Sequence, residues 1–374
     1  MDYLSYFFSD VYYLGIFALI ISFILALKMF PAIICLANEK DLMAVPETRS
    51  MHTKKTPNLG GVGIFIAFSL SIMILGGLKS FEHFQIGQLL LLLAAITIMF
   101  FLGVKDDLIG ISPKKKFLGQ AMAAALVILV TDVRINNLDG LFGIWELPYI
   151  ISILISLLVF VFIINAFNLI DGIDGLAGTI AIIASSVFGF FFMFQGNILL
   201  MLVSFILVGA LLAFLRFNFS EENKLFMGDS GSLFIGFLLT YQSISFLGMN
   251  TTESLWFAIP NKPVLILAIL SFPILDTLRV FIIRVRQKRN PFSADRNHIH
   301  HRLMDLGLSH KQGTLVVGLA NVLVIVLAFL IRDFNINIQF IIISTIVPIL
   351  GLLPCMLARE QGRIKLHVPK LSRA

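Results

Sequence analysis

The sequence predicts an all-α membrane protein that crosses the bilayer many times, and three observations carry that reading. Hydrophobic residues make up 58% of the 374-residue chain and mean hydropathy is +0.95. Charged residues make up 13%, about half the share usual in a soluble domain. Apolar stretches long enough to span a bilayer recur along the whole length. About eleven spans are expected, near 12–37, 58–78, 87–104, 117–131, 149–168, 175–195, 197–215, 231–249, 261–285, 312–331 and 336–357. The first is too long, and lacks a small-residue cleavage site, for a removable signal peptide. The chain reads as one membrane domain, residues 1–374.

The basic residues orient it. With an odd number of spans the termini lie on opposite sides. If the N-terminus is outside, the loops on the inner side hold 22 of the 28 lysines and arginines and the outer loops hold 4. The remaining two, Lys28 and Arg279, lie inside spans. The positive-inside rule therefore places the N-terminus outside and the C-terminus, with a basic tail at 358–374, in the cytoplasm. The net charge of +6 follows from this bias and gives no sign of nucleic-acid binding, since there is no separate basic domain. Cys35 and Cys355 sit inside spans far apart and read as small buried apolar residues, not a disulfide or metal framework.

Polar chemistry collects where spans meet the expected cytoplasmic face. Asn165 to Gly178 reads N-A-F-N-L-I-D-G-I-D-G-L-A-G. Asn165 and Asn168 are three apart, as are Asp171 and Asp174, so each pair shares a face of a helical turn. One Asp-Gly there would be an ordinary turn with a cap; two, after paired Asn, point to function, because carboxylates at membrane depth are costly. Asp106 and Asp107 end the third span. They suit a divalent cation or a general base, against a solvated helix end as the bland alternative. Lys114, Lys115 and Lys116 follow, suited to anionic headgroups or a phosphate.

Asp229 opens the eighth span within F-M-G-D-S-G-S. The Gly- and Ser-rich helix start offers backbone N–H groups to an anion, and the Asp can hold the Mg²⁺ that a diphosphate brings. Phe226 is placed to stack on a base or simply to pack, and Asn218 and Lys224 are further polar candidates. Span nine carries Asp276 and Arg279, three apart and expected to pair. Beyond it, His298, His300 and His301 fall within four residues, with Arg302 next. Zinc sites usually combine His with Cys or acids, so a diphosphate fits this cluster better. An earlier loop gathers Arg49, His52, Lys54 and Lys55 before Pro57 and Gly60-Gly61; it is either plain positive-inside charge or an anion-facing loop. Residues 132–148 suggest a small β-hairpin on the outer face, with Trp145 and Tyr149 in an interfacial belt.

Taken in order, R-S-M-H-T-K-K-T-P-N-L-G-G-V, F-L-G-V-K-D-D, N-A-F-N-L-I-D-G-I-D-G-L-A, F-M-G-D-S-G-S and H-I-H-H-R resemble the polyprenyl-phosphate N-acetylhexosamine-1-phosphate transferases. The resemblance covers about residues 45–310 and agrees in topology. His-Ile-His-His is similar to the branch that starts O-antigen, common-antigen and teichoic-acid linkage lipids. The peptidoglycan branch, using UDP-MurNAc-pentapeptide, typically has three consecutive histidines.

The resemblance implies a bacterial inner-membrane enzyme. It would transfer a sugar 1-phosphate, most readily GlcNAc-1-phosphate, from a UDP-N-acetylhexosamine to undecaprenyl phosphate with release of UMP. UDP-GalNAc and UDP-MurNAc-pentapeptide are the alternative donors, and a homodimer is compatible. It implies Mg²⁺, with Mn²⁺ as a substitute, on Asp229 and Asn168. Asp106 would align or deprotonate the lipid phosphate, with Asp107 supporting it or the metal. Asp171 and Asp174 would contact uridine or ribose, Phe226 would stack on uracil, and Asn165 and Asn218 would help bind substrate. His298, His300, His301 and Arg302 would hold the diphosphate, and Arg49, His52, Lys54 and Lys55 would border the nucleotide or lipid-phosphate site. An ion or lipid transporter is the reading from another class. It would place its polar groups near mid-membrane rather than at one boundary.

Overall fold

A computed structural model describes residues 10–44, 56–79, 81–249, 261–288, 298–360 and 363–366. Its helices are α1 (Val11–Glu39), α2 (Gly60–Leu78), α3 (His83–Ile109), α4 (Pro113–Thr131), α5 (Tyr149–Ile170), α6 (Leu176–Phe194), α7 (Ile198–Asn218) and α8 (Gly228–Leu247). They continue as α9 (Lys262–Ile269), α10 (Ser271–Arg286), α11 (Ile299–Asp305), α12 (His310–Leu330) and α13 (Ile336–Met356).

The helix starts are written in the sequence. Asp10 accepts the backbone N–H groups of Tyr12 and Tyr13 ahead of α1, satisfying donors that the first turn leaves open. Glu82 with Gln85, and Ser309 with Gln312, form capping boxes at α3 and α12. Pro113 opens α4, where a missing N–H costs nothing.

Among the described residues, nine helices are long and apolar enough to cross a membrane, and a tenth span appears if α9 and α10 count together. The protein is thus an all-α, multi-pass membrane protein. The further helix, α4, stands where a span was expected and carries three lysines in its first turn. The break between α9 and α10 bends the chain by 74°. Continuous hydropathy across 261–285 gave no sign of it.

α8 is the axis of the bundle. It packs against α2, α3, α5, α6 and α9, and 94% of its apolar window is buried, against 17% for the peripheral α13. Large apolar side chains such as Ile16, Leu154, Leu158, Leu319 and Leu323 face outward, as lipid contact allows. Cys35 is also exposed, so it faces outward from α1 rather than lying buried.

Extended structure is sparse. The expected hairpin at 132–148 is reduced to a single bridge, Asn137 to Glu146, closed by a 3-10 turn at Leu141–Gly143. Trp145 and Tyr149 are exposed beside it. Two short pairs were not anticipated: Met43–Ala44 with Thr56–Pro57, and Leu357–Glu360 with Arg363–Leu366. The end of the bundle that carries residues 132–148 holds a polar cavity of about 580 Å³ whose lining includes Arg134, Asn137, Asp139, Glu146 and Lys262. The polar groups are therefore not confined to one end, as the sequence suggests. Lys262 has a structural duty there, donating to the carbonyls of Leu247 and Met249 at the end of α8.

Candidate active site

At the other end, the loops and helix ends at 56–61, 106–116, 165–176, 218–230 and 298–310 converge on the start of α8. Backbone pairing brings the first two chain segments together. Phe226 N–H donates to the Pro57 carbonyl at 2.8 Å, and the N–H groups of Gly60 and Gly61 donate to the carbonyls of Phe226 and Met227, each at 2.8 Å. The end of the basic loop is thereby stitched to the segment that leads into α8. Arg49, His52, Lys54 and Lys55 lie outside the described residues.

Asp107 closes the first turn of α8. Its two carboxylate oxygens accept the backbone N–H groups of Asp229 (2.8 Å) and Ser230 (2.9 Å), and Asn58 Nδ2 lies 3.4 Å from one of them. The helix N–H groups expected to meet an anionic substrate are therefore satisfied by this carboxylate, which favours the positive end of the helix. The close approach requires glycine: a Cβ at Gly103 on α3 would collide with the backbone of Asp229 and Ser230.

Asp106 faces a different partner. Its Oδ1 accepts the Ile111 N–H at 2.8 Å, and its Oδ2 lies 2.8 Å from Lys116 Nζ. The same ammonium contacts Asp229 Oδ2 at 2.5 Å and Asn168 Oδ1 at 3.4 Å. Asn168 Nδ2 donates to Asp229 Oδ1 and to Ser232 Oγ, both at 2.8 Å. So α3, α4, α5 and α8 each contribute to one oxygen-rich cluster around a positive charge. The sequence offers Lys116 only as one of three lysines suited to anionic headgroups or a phosphate, without singling it out. Its signal is the position just after Pro113, which starts a helix and aims the first turn at the carboxylates.

The cluster can be tested as a cation site by its donors. Among the described residues no three His, Cys, Asp or Glu side chains are grouped to hold a metal. The convergent set is two carboxylates and an amide oxygen. That suits a hard cation that keeps water or substrate oxygens, as Mg²⁺ does, and not zinc. The residues fit Mg²⁺ in that limited sense.

Asp171 is the C-cap of α5, and among the described residues its carboxylate has no hydrogen-bonding or ionic partner. Burial pushes its carboxyl well above the usual carboxylate range, and the charges of Asp229, Asp107 and Asp174 push it further. Asp174 differs. Burial alone would raise it, but its hydrogen bonds with His310 and Lys224 prevail and hold it below the ordinary range. Lys224 Nζ lies 2.7 Å and His310 Nδ1 3.0 Å from Asp174 Oδ2. The Lys224 ammonium also lies 5.5 Å from the centroid of the half-buried Phe226 ring.

Several expected site residues are committed elsewhere. Asn165 exchanges hydrogen bonds with Gln120 and donates to the Val161 carbonyl, so it ties α4 to α5 below the cluster. Asn218 is buried, accepting from Gly175 N–H at 2.5 Å and donating to the Leu225 carbonyl at 2.8 Å. It staples two backbone turns and has no spare donor pair for a ligand. Arg302 is 49% exposed and pairs with Asp305 at 3.6 Å. His298 is buried with Nδ1 2.7 Å from Asp276 Oδ2. Asp276 thus pairs with His298, not with Arg279 three residues on: it also accepts the Ile299 N–H at 2.8 Å, which fixes its carboxylate toward the histidine segment.

His300 is 1% exposed and its ring is laid on Gly172, where a Cβ would collide with Nε2. Desolvation lowers its pKa to about 3; Asp276 opposes this and the neighbouring histidines reinforce it. It is therefore a neutral packing ring at pH 7. His301, half-buried beside it with ring centroids 4.4 Å apart, is the more accessible of the three.

With the geometry in place, comparison with known proteins is decisive. A family model described as glycosyl transferase family 4 matches residues 89–247. A Bacillus subtilis protein described as a probable undecaprenyl-phosphate N-acetylglucosaminyl 1-phosphate transferase is 31% identical over 332 residues, 88% of each chain. The chain belongs to glycosyl transferase family 4. Other members are similar over most of their length. The decaprenyl-phosphate N-acetylglucosaminephosphotransferase of Mycolicibacterium smegmatis is 31% identical over 74% of this chain and 72% of its own. The undecaprenyl-phosphate alpha-N-acetylglucosaminyl 1-phosphate transferase of Salmonella typhi is 30% identical over 75% and 73%. The matched family region contains Asp106, Asp107, Lys116, Asn168, Asp171 and Asp229, which is the cluster and its neighbours. The histidine segment lies beyond it.

Two predictions follow from this packing. Gly103→Ala forces α3 and α8 apart at the capped turn; the expected loss is about 1–3 kcal/mol, seen as a lower melting temperature in detergent, together with reduced turnover. His300 titrates near 6.5 when unfolded and near 3 when folded. The unfolded chain therefore takes up the proton first as pH falls. Stability is complete above pH 6.5 and declines below it, by at most about 1.4 kcal/mol per pH unit. A His300→Gln variant should show a shallower acid decline in melting temperature between pH 6.5 and 4; an unchanged slope contradicts a buried neutral ring.

Proposed function

We propose that this protein transfers N-acetylglucosamine 1-phosphate from UDP-N-acetylglucosamine to undecaprenyl phosphate, giving a lipid diphospho-sugar and UMP. The observation that carries the proposal is the Asp106–Lys116–Asp229–Asn168 cluster at the mouth of an apolar bundle. There a charged nucleotide and a membrane-held phosphate can meet. Relatives that share the chain through this region are named as N-acetylglucosamine 1-phosphate transferases acting on undecaprenyl phosphate or decaprenyl phosphate.

In this reading a lipid phosphate oxygen attacks the phosphorus that carries the sugar. The bond from that phosphorus to the bridging oxygen of the diphosphate breaks, and UMP leaves with that oxygen. A phosphate monoester has its second pKa near 6, so the attacking group is mostly ionised at pH 7. Asp106 therefore has more to do in orienting than in deprotonating. Its carboxylate is already fixed by the Ile111 N–H and Lys116. Lys116 supplies positive charge beside the reacting oxygens. Asp229 and Asn168 would hold Mg²⁺, with Asp106 adjacent. Bound there, the ion would act as a Lewis acid on the diphosphate. Asp107 acts one step back, by fixing the first turn of α8. Phe226 offers its face to the uracil, and Asp171 and Asp174 border the nucleoside. His301 is the histidine best placed to meet the diphosphate.

The face carrying the cluster is assigned to the cytoplasm of a bacterial inner membrane, from the 22-to-4 bias of basic residues. An outer N-terminus follows from the same bias when eleven spans are counted, with α4 taken as one of them. A transporter is the lesser reading, because the Asp106–Asp229 cluster lies at a boundary of the bundle instead of at its middle.

The deciding experiment incubates the purified protein with undecaprenyl phosphate, Mg²⁺ and each UDP-N-acetyl sugar in turn. UMP release that needs the lipid and is strongest with UDP-N-acetylglucosamine is expected; no UMP from any donor overturns the proposal. Asp229→Asn should lower turnover by about 10²–10³-fold and remove the response to Mg²⁺ together. Phe226→Ala should raise the donor KM roughly five-fold, and an unaltered KM would return that ring to packing.

A further inference from the structure

The break between α9 and α10 leaves backbone groups without helical partners in an apolar surrounding, which a lipid-embedded chain must satisfy internally. The Leu270 N–H still reaches the Ile266 carbonyl, and the Ile274 N–H the Leu270 carbonyl. The carbonyls of Ala268 and Ile269 are met instead by one side chain from another helix. Asn321, in the middle of α12 and 2% exposed, has its Nδ2 3.1 Å from the Ala268 carbonyl, 3.2 Å from that of Ile269 and 3.0 Å from Ser271 Oγ. It spans the corner, touching the last turn of α9 and the first residue of α10.

What leaves that corner is the helix that carries Asp276. The Asp276 side chain is wholly buried and grips His298 Nδ1 and the Ile299 N–H, the entry to α11. Two residues further on, the His300 ring rests on Gly172, between Asp171 and Asp174. The direction of α10 thus decides where the histidine segment meets the Asp171–Asp174 turn.

We propose that Asn321 is a positioning residue for the transferase reaction. It holds the α9–α10 corner at its angle, and so holds the Asp276–His298 clasp and the ring of His301 in register with the carboxylate cluster. The inference rests on the histidine segment contributing to turnover. A corner held only by apolar contact has other angles open to it. Asn321 selects one, because its Nδ2 stays within hydrogen-bonding reach of both carbonyls and the Ser271 hydroxyl only when α9, α10 and α12 keep their present relation.

The test uses the full-length protein in detergent or liposomes and measures UMP release for Asn321→Leu, His301→Ala and the double variant, with Asn321→Gln as the variant that keeps the amide donor. The expected result is a fall of ten-fold or more in kcat for Asn321→Leu, a donor KM changed less than three-fold, and partial recovery in Asn321→Gln. The double variant should be no slower than His301→Ala by more than about two-fold, because both changes act through the same segment. Losses that multiply, or full activity in Asn321→Leu, overturn the inference. If His301→Ala itself keeps full turnover, the histidine reading fails. If His301→Ala is slow while Asn321→Leu is not, only the role of Asn321 fails. Should Asn321→Leu not yield folded protein, Asp276→Asn and Ser271→Ala probe the same clasp and corner. Asp276→Asn combined with His301→Ala must then show the same lack of multiplication, and multiplied losses would again refute the idea.

Discussion

Most of this structure depends on one ammonium group. Lys116 Nζ lies between a carboxylate on α3 and another on α8, with an amide oxygen from α5 beside them. Without that charge, Asp106 and Asp229 would face each other across a helix contact so tight that a glycine is needed for it. Like charges at such range repel strongly where water is scarce. The lysine turns the repulsion into attraction, and the bond network around Asn168 and Ser232 extends it to α5. The same ammonium that joins these helix ends also leaves the two carboxylates aimed at a common point, which is what a reaction on phosphates requires.

The fold was legible because apolar length is a strong signal and each expected span has a helix at its place. Hydropathy hid the corner in span nine, although Pro273, which has no N–H to give the Ile269 carbonyl, marks it in the sequence. Asp229 and the Asp106-Asp107 pair were legible as acids at a membrane boundary, where a charge without purpose is expensive. Their division of labour was not. Adjacent residues on a helix point about 100° apart, so one carboxylate meets Lys116 and the other caps α8, and only the packed neighbours decide which. The partners of Asn165 and Asn218 were not legible for a related reason. An amide near a site reads as a ligand until its own partners, Gln120 and the Gly175 and Leu225 backbone, are known.

The histidines show how density in sequence can mean different things at each position. His298 is held by a buried acid, His300 is a neutral ring under a turn, and His301 remains at the edge of the site. A cluster read as a uniform anion clamp is instead a short brace with one outward member. Its energetics are apolar and geometric as much as ionic, which is why His300 resists protonation while sitting two residues from Asp276's partner.

Charge balance makes the last step. Asp106, Asp107, Asp171 and Asp229 gather four carboxyl groups within one small region, and among the described residues Lys116 is the cation in contact with them. Asp107 spends its charge on the dipole of α8, and Asp171 escapes the imbalance by favouring its protonated form. Asp106 and Asp229 remain, sharing a single ammonium. A nucleotide diphosphate entering this site would add further negative charge beside a cluster that, among the described residues, holds one ammonium for two carboxylates. On the proposed reading, a cation held by Asp229 and Asn168 would offset that added charge. The excess of acid in the resting protein would then make affinity for the proposed donor conditional on that ion.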